Sequence, residues 1–185
     1  MGNRGIALSI EFKVSRDTHL LDQYYALREK CFRLDLGLAN FDGSEEELDR
    51  QGAVLLALDN GRCVGGARIS SHISLPSQAD LLEVDRSACC MWERFAIDPA
   101  VRSVHMVREF VAHLIKASRD GGFRTAMVLS SLRNARFYRR CHTAIGVEYH
   151  ILRHVPHCAQ GAFAGMEHYL SVAHLEDSQP LSIAV

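Results

Sequence analysis

The chain has 185 residues, 48% of them hydrophobic and 23% charged, enough to bury one sizeable core and too apolar for a disordered protein. Its 21 Lys and Arg against 22 Asp and Glu leave a formal charge of −1, which argues against nucleic-acid binding driven by bulk charge. No apolar run approaches the roughly 20 residues that span a bilayer, and Met1–Arg4 lead into a strand-like stretch with no signal core, so a cytoplasmic protein without integral membrane contact is expected.

Residues 5–14 read as a first strand. Asp17 or Thr18 then caps a helix whose apolar positions Leu20, Leu21, Tyr24, Leu27, Cys31 and Leu34 follow helical spacing, and Gly37 stops it. A polar loop, 40–50, carries Asp42, Glu45, Glu46, Glu47 and Asp49. Two apolar runs, 53–58 and 63–69, flank Asn60-Gly61, the strongest short hairpin signal. A longer loop over 71–88 holds a short helix near 79–84. Residues 91–97 form a strand ended by Asp98-Pro99.

Val104, Val107, Val111, Leu114 and Ser118 lie on one stripe of a helix that stops at Gly121-Gly122. A buried strand at 125–129, a short helix at 134–141 and strands at 147–155 and 166–172 follow. The polar tail contains Pro180 and is expected to fray, giving one domain over 1–175 and a flexible tail over 176–185. The order β-α-β-β-β-α-β-α-β-β, with a crossover helix between two parallel strands, predicts one central mixed sheet.

The cysteines Cys31, Cys63, Cys89, Cys90, Cys141 and Cys158 form no CxxC pair and are expected as buried free thiols. His150, His154, His157 and Cys158 match no standard ligand spacing, and no metal is expected.

The junction at 92–105 is the most informative segment. A strand ends and a helix begins near Arg102-Ser103, where free backbone N–H groups favour an anion; Ser103 is a candidate cap. Several segments taken together carry a resemblance. They are Leu27-Arg28-x-x-Cys31-Phe32, Leu36-Gly37, Glu46-x-x-Asp49, Val64-Gly-Gly-Ala-Arg68 and Trp92-Glu-Arg-Phe-Ala-Ile-Asp98. In this order and spacing they resemble the acyl-homoserine-lactone synthases, the autoinducer-synthase branch of the GNAT acyltransferase superfamily.

The resemblance implies an α/β fold, a GNAT-like α/β/α sandwich around a mixed, mostly antiparallel sheet. It implies an N-acyltransferase that takes an acyl group from an acyl-carrier-protein or acyl-CoA thioester. In the favoured form the acceptor is S-adenosylmethionine and the product a quorum-sensing signal. The other forms are an N-acyl amino acid synthase and a non-catalytic module that binds acyl thioesters. No tightly bound cofactor is implied.

By the same resemblance, Arg28 helps close the N-terminal part over the S-adenosylmethionine site, with Phe32 beside it. Glu46 and Asp49 contact the substrate amine, Arg68 holds the acidic network or a substrate carboxylate, and Glu93 and Arg94 match an acid–base pair on the strand. Trp92 is a candidate wall. Phe95, Ala96, Ile97, Arg102, Ser103 and Val104 line the path of the thioester arm. Three positions depart from the pattern: Leu38 where the family has tryptophan, Glu46 where it has aspartate, and adjacent Glu93-Arg94 in place of Glu-x-x-Arg. Neighbours on a strand point to opposite faces, so both can serve one pocket only across a bulge.

The chemistry of amine acylation asks for the same residue types. A carboxylate must take the amine's proton, directly or through water, and Glu93, Glu46 and Asp49 are the candidates. Glu93, next to the chain's only tryptophan, is expected against an apolar wall that raises its pKa. Backbone N–H groups near Phe95 and Ala96 are candidates for the oxyanion, and Tyr138 for protonating the leaving thiolate. Arg133, Arg136 and Arg140 share one helix face and could dock an acidic carrier protein.

Overall fold

In the computed structural model, which describes residues 10–73, 86–155 and 162–176, the order of elements follows the sequence closely. Strand β1 is Ile10–Ser15 and helix α1 is Thr18–Asp35, opened by the Asp17 carboxylate, which accepts the Leu20 N–H at 3.1 Å. Gly37 follows at φ 68°, the left-handed conformation that ends helices. The acidic segment is not all loop. Glu46 and Asp49 form a reciprocal capping box, and a short helix α2, Glu47–Gln51, grows from it.

Strands β2 (Ala53–Asp59) and β3 (Arg62–Ser70) pair antiparallel around Asn60 (φ 49°) and Gly61 (φ 78°). Both turn residues are left-handed, as a type I′ hairpin requires. A 3-10 turn, Arg86–Ala88, leads into β4, Cys89–Ile97. Helix α3 is Val104–Asp120, and Ser103 does cap it, accepting the Met106 N–H at 3.1 Å. Strand β5 (Thr125–Ser130), helix α4 (Leu132–Ala144), β6 (Tyr149–Val155) and β7 (His168–His174) complete the fold. The expected residues 5–9, the helix near 79–84, His157, Cys158 and the tail from 177 lie outside the described residues.

The seven strands form one sheet in the order β1-β2-β3-β4-β5-β7-β6, parallel only between β4 and β5. Helix α1 covers one face, with Tyr24, Leu27 and Cys31 packed on Val54, Leu56 and Ala96. Helices α3 and α4 cover the other, where Phe110, Val111 and Leu114 meet Leu55, Val64, Trp92 and Val128. The sandwich is α/β/α, as expected. Cys31, Cys63, Cys89, Cys90 and Cys141 are buried free thiols.

Two local features position the site. A Cβ on Gly66 would lie 2.3 Å from the Tyr24 ring, so glycine is what allows α1 to lie this close to β3. Opposite it, Arg68 pairs with Glu93 and Gly66 with Ala96, so two steps along β3 match three along β4. The extra residue makes a β-bulge, and Arg94 sits there at φ 57°.

Candidate active site

The bulge resolves the adjacency of Glu93 and Arg94. Both side chains join one cluster on the α1 face of the sheet, built from α1, α2, β3 and β4. At its base, Arg28 Nη1 donates to both Asp49 oxygens at 3.2 and 3.0 Å, and the Arg28 guanidinium also donates to the Gly43 and Ser44 carbonyls. Arg68 Nη1 donates to Asp49 at 3.2 Å and to Glu46 at 2.6 Å, while its Nε and Nη2 reach Glu93 Oε2 at 3.0 and 2.9 Å. Arg94 closes the outer side with Nη2 2.9 Å from Glu46 Oε1. Three arginines thus match three carboxylates.

Burial grades outward through the cluster. The side chains of Arg28 and Asp49 are wholly buried and that of Arg68 is 1% exposed, whereas those of Glu46, Glu93 and Arg94 keep 29%, 17% and 20%. Partial burial pushes the Glu46 carboxyl up, but the Arg94 charge and the hydrogen bonds from Arg68 and Arg94 outweigh it and hold Glu46 below the usual carboxylate range. Among the described residues, only Oε2 of Glu93 is engaged by an arginine. Asp49, expected as a proton acceptor, is instead sealed behind Arg28 and Arg68 and can only hold them in place.

An aromatic cluster adjoins the outer end. Phe32, Phe41 and Phe163 pack with ring centroids 4.8–6.0 Å apart, and the Arg94 guanidinium lies 4.9 Å from the Phe163 centroid. Phe32, expected in the substrate site, packs here against Phe41 and Phe163. Leu38, Ala39, Asn40, Phe41 and Ala162 line an open hollow beside it. The sequence offers no signal for Phe163, which arrives from the β6–β7 connection, or for the Tyr24 hydroxyl, which donates to the Arg94 carbonyl at 2.7 Å across the bulge.

Trp92 is not part of this face. It is buried on the opposite side of the sheet, where its Nε1–H donates to Ser118 Oγ at 2.8 Å and its ring lies 5.7 Å from His142. The expected apolar wall beside Glu93 is therefore absent, because alternation along β4 turns the two side chains apart and Glu93 meets Arg68 instead.

Beside the cluster the sheet opens. The β4–β5 ladder ends at Trp92↔Val128, while β4 runs on to Ile97. Asp98 donates its N–H to Val64 on β3 at 2.9 Å. Alternation turns the Ala96 amide the same way and those of Phe95 and Ile97 into the gap, so Phe95 and Ile97, not Ala96, are placed to meet an oxyanion or a thioester arm. Phe95 packs edge-on to Phe110 at 4.9 Å and to Tyr138 of α4 at 6.0 Å. Burial pushes the Tyr138 phenol up, so it stays protonated and can donate.

At the far end of the gap Ser103 and Val104 are exposed at the start of α3. Arg102 is not free there: it donates to the Ile97 carbonyl at 2.8 Å and pairs with Asp35 at 2.6 Å. On α4, Arg133, Arg136, Arg139 and Arg140 are all exposed, on a helix with no acidic residue.

His142, behind Trp92, is 1% exposed, with Nδ1 2.7 Å from the Tyr138 carbonyl. Burial lowers its pKa to about 4, against an ordinary 6.5. The unfolded chain therefore takes up this proton first, and stability present above pH 6.5 is lost as pH falls toward 4. Between pH 6.5 and 5 the loss is expected to be about 2 kcal/mol by urea denaturation, and smaller in His142→Gln. An equal loss in the variant would assign the effect to other groups.

The chain matches the acetyltransferase (GNAT) family over residues 18–142 and belongs to it. Among solved structures of this fold, the acyl-homoserine-lactone synthase LasI is 15% identical, with a TM-score of 0.67 over 92% of each chain. MesI, a CoA-dependent acyl-homoserine lactone synthase, is also 15% identical, with a TM-score of 0.62 over 90% of this chain and 89% of its own. YncA from Salmonella typhimurium, solved with its cofactor acetyl-CoA, is 14% identical, with a TM-score of 0.63 over 95% of this chain and 99% of its own. No curated protein sequence matches the chain. The GNAT fold and family expected from the sequence are thus established, and the family supports an N-acyltransferase. No helix among the described residues is long and apolar enough to cross a membrane.

Proposed function

We propose that this chain transfers an acyl group from a thioester to the α-amino group of S-adenosylmethionine, the first step of acyl-homoserine-lactone synthesis. The observation that carries the reading is the graded Arg–carboxylate cluster beside the β4–β5 gap. Its outer members offer carboxylates at Glu46 and Glu93 and a guanidinium at Arg94. An acceptor with an ammonium and a carboxylate on one carbon, as in an α-amino acid, complements that pattern. The half-buried Phe163 ring, backed by Phe32 and Phe41, gives a surface for the rest of the molecule and for its sulfonium charge.

In this reading the thioester arm lies in the gap, with its carbonyl oxygen toward the Phe95 and Ile97 amides. Glu46, ionised throughout the neutral range, holds the ammonium. Glu93 accepts one ammonium proton through the oxygen that Arg68 does not hold, the neutral amine attacks, and the C–S bond of the tetrahedral adduct breaks as its nitrogen releases a second proton to solvent. Tyr138 returns a proton to the departing thiolate. Arg28, Asp49 and Arg68 keep the carboxylates in register.

Arg102, tied to Asp35 and Ile97, and Ser103, used as a cap, leave little at the start of α3 for a nucleotide diphosphate. This reading favours a carrier protein as the acyl donor, steered by the α4 arginines. Thiol release from acyl carrier protein should depend on S-adenosylmethionine, fall with salt, and drop in Arg136→Glu, while release from acyl-CoA stays unchanged by that substitution. Equal use of acyl-CoA, indifferent to salt, would overturn the donor assignment.

A further inference from the structure

A second cluster lies at the opposite end of the sheet from the gap. Glu148, just before β6, and His150, within it, project from the same face of the edge strand, two residues apart. Tyr149 pairs with Ala173, and the His174 N–H donates to the Glu148 carbonyl at 3.0 Å, so His174 stands opposite Glu148 on that face. His150 Nε2 lies 2.7 Å from Glu148 Oε1, and the two imidazole rings are 5.6 Å apart. One ligand atom from each residue lies within 4.8 Å of the other two, and all three side chains are exposed.

From this convergence of two imidazoles and a carboxylate we propose a zinc site made of Glu148, His150 and His174. The set has the chemistry zinc favours, nitrogen and oxygen donors with one position left for water. Tetrahedral ligation at about 2.0–2.2 Å needs donor atoms closer than they stand here. Exposed side chains can make that adjustment by rotamer changes alone, since the β6–β7 register already aligns the three Cα positions. The contiguous histidine motif that the sequence displays does not supply this set: its partner His174 comes from β7, and the carboxylate precedes the motif. The site clamps the edge strand to its neighbour and binds only the folded chain, so zinc stabilises the fold without touching the acyl-transfer face.

The test is titration of untagged, full-length protein with zinc, followed by calorimetry and thermal unfolding. One zinc per chain is expected, with a midpoint rise of about 5–10 °C at zinc a hundredfold above Kd. Both effects should vanish in His174→Ala and in His150→Gln. Cobalt in the same site should give a weak visible spectrum without thiolate charge-transfer bands. Zinc binding that survives both substitutions, thiolate bands, or no binding at all would overturn the site.

Discussion

Asp49→Ala is expected to cost about 3–5 kcal/mol of folding stability, the range for removing one member of a buried ion network. Among the described residues, Asp49 is the sole carboxylate that reaches Arg28, and both side chains are wholly buried. Without it, Arg28 keeps the Gly43 and Ser44 carbonyls and the faces of the Tyr24 and Tyr25 rings, none of which carries a charge to neutralise its own. Arg68 loses one of three anionic partners but keeps Glu46 and Glu93. The capping box that starts α2 is lost as well, because the Asp49 carboxylate accepts the Glu46 N–H at 2.8 Å. Urea denaturation at pH 7 measures the cost. A loss below about 1 kcal/mol, the size of an exposed pair, would show that water reaches the network and that Asp49 does not organise it.

Glu93→Gln is expected to lower turnover about a hundredfold or more while the protein remains folded, the range for removing a general base. The amide keeps the shape of the carboxylate and one hydrogen bond to Arg68, and Arg68 retains its pairs with Glu46 and Asp49. What disappears is a basic oxygen facing the amine. The burial that was to tune Glu93 from the Trp92 side does not exist, so the role rests on geometry: a half-buried carboxylate with one oxygen held by Arg68 and the other unclaimed among the described residues. Steady-state rates with the S-adenosylmethionine concentration varied separate kcat from KM. Turnover near the wild-type value would move the base to Glu46, acting through water.

Much of this was legible in the residues. Asn60-Gly61 fixed the β2–β3 hairpin, and that hairpin carries Arg68 to the acids of the preceding loop. The helical spacing from Leu20 to Cys31 placed α1 and with it Arg28. Other features had no local signature. A bulge at a non-glycine residue, Arg94, is imposed by the pairing of β3 with β4 and by the Tyr24 hydroxyl on its carbonyl, both long-range contacts. Phe163 and the Glu148–His150–His174 cluster depend on which segments the sheet brings together. The face that Trp92 takes follows from the register of β4, which its sequence of mostly apolar residues does not reveal.

The most direct measurement is mass spectrometry of organic extracts from cells expressing the chain, compared with cells expressing Glu93→Gln. An N-acyl homoserine lactone present in the first and strongly reduced in the second is the predicted result. An N-acyl amino acid in its place would contradict S-adenosylmethionine as the acceptor, and extracts identical to those of empty cells would contradict acyl transfer itself.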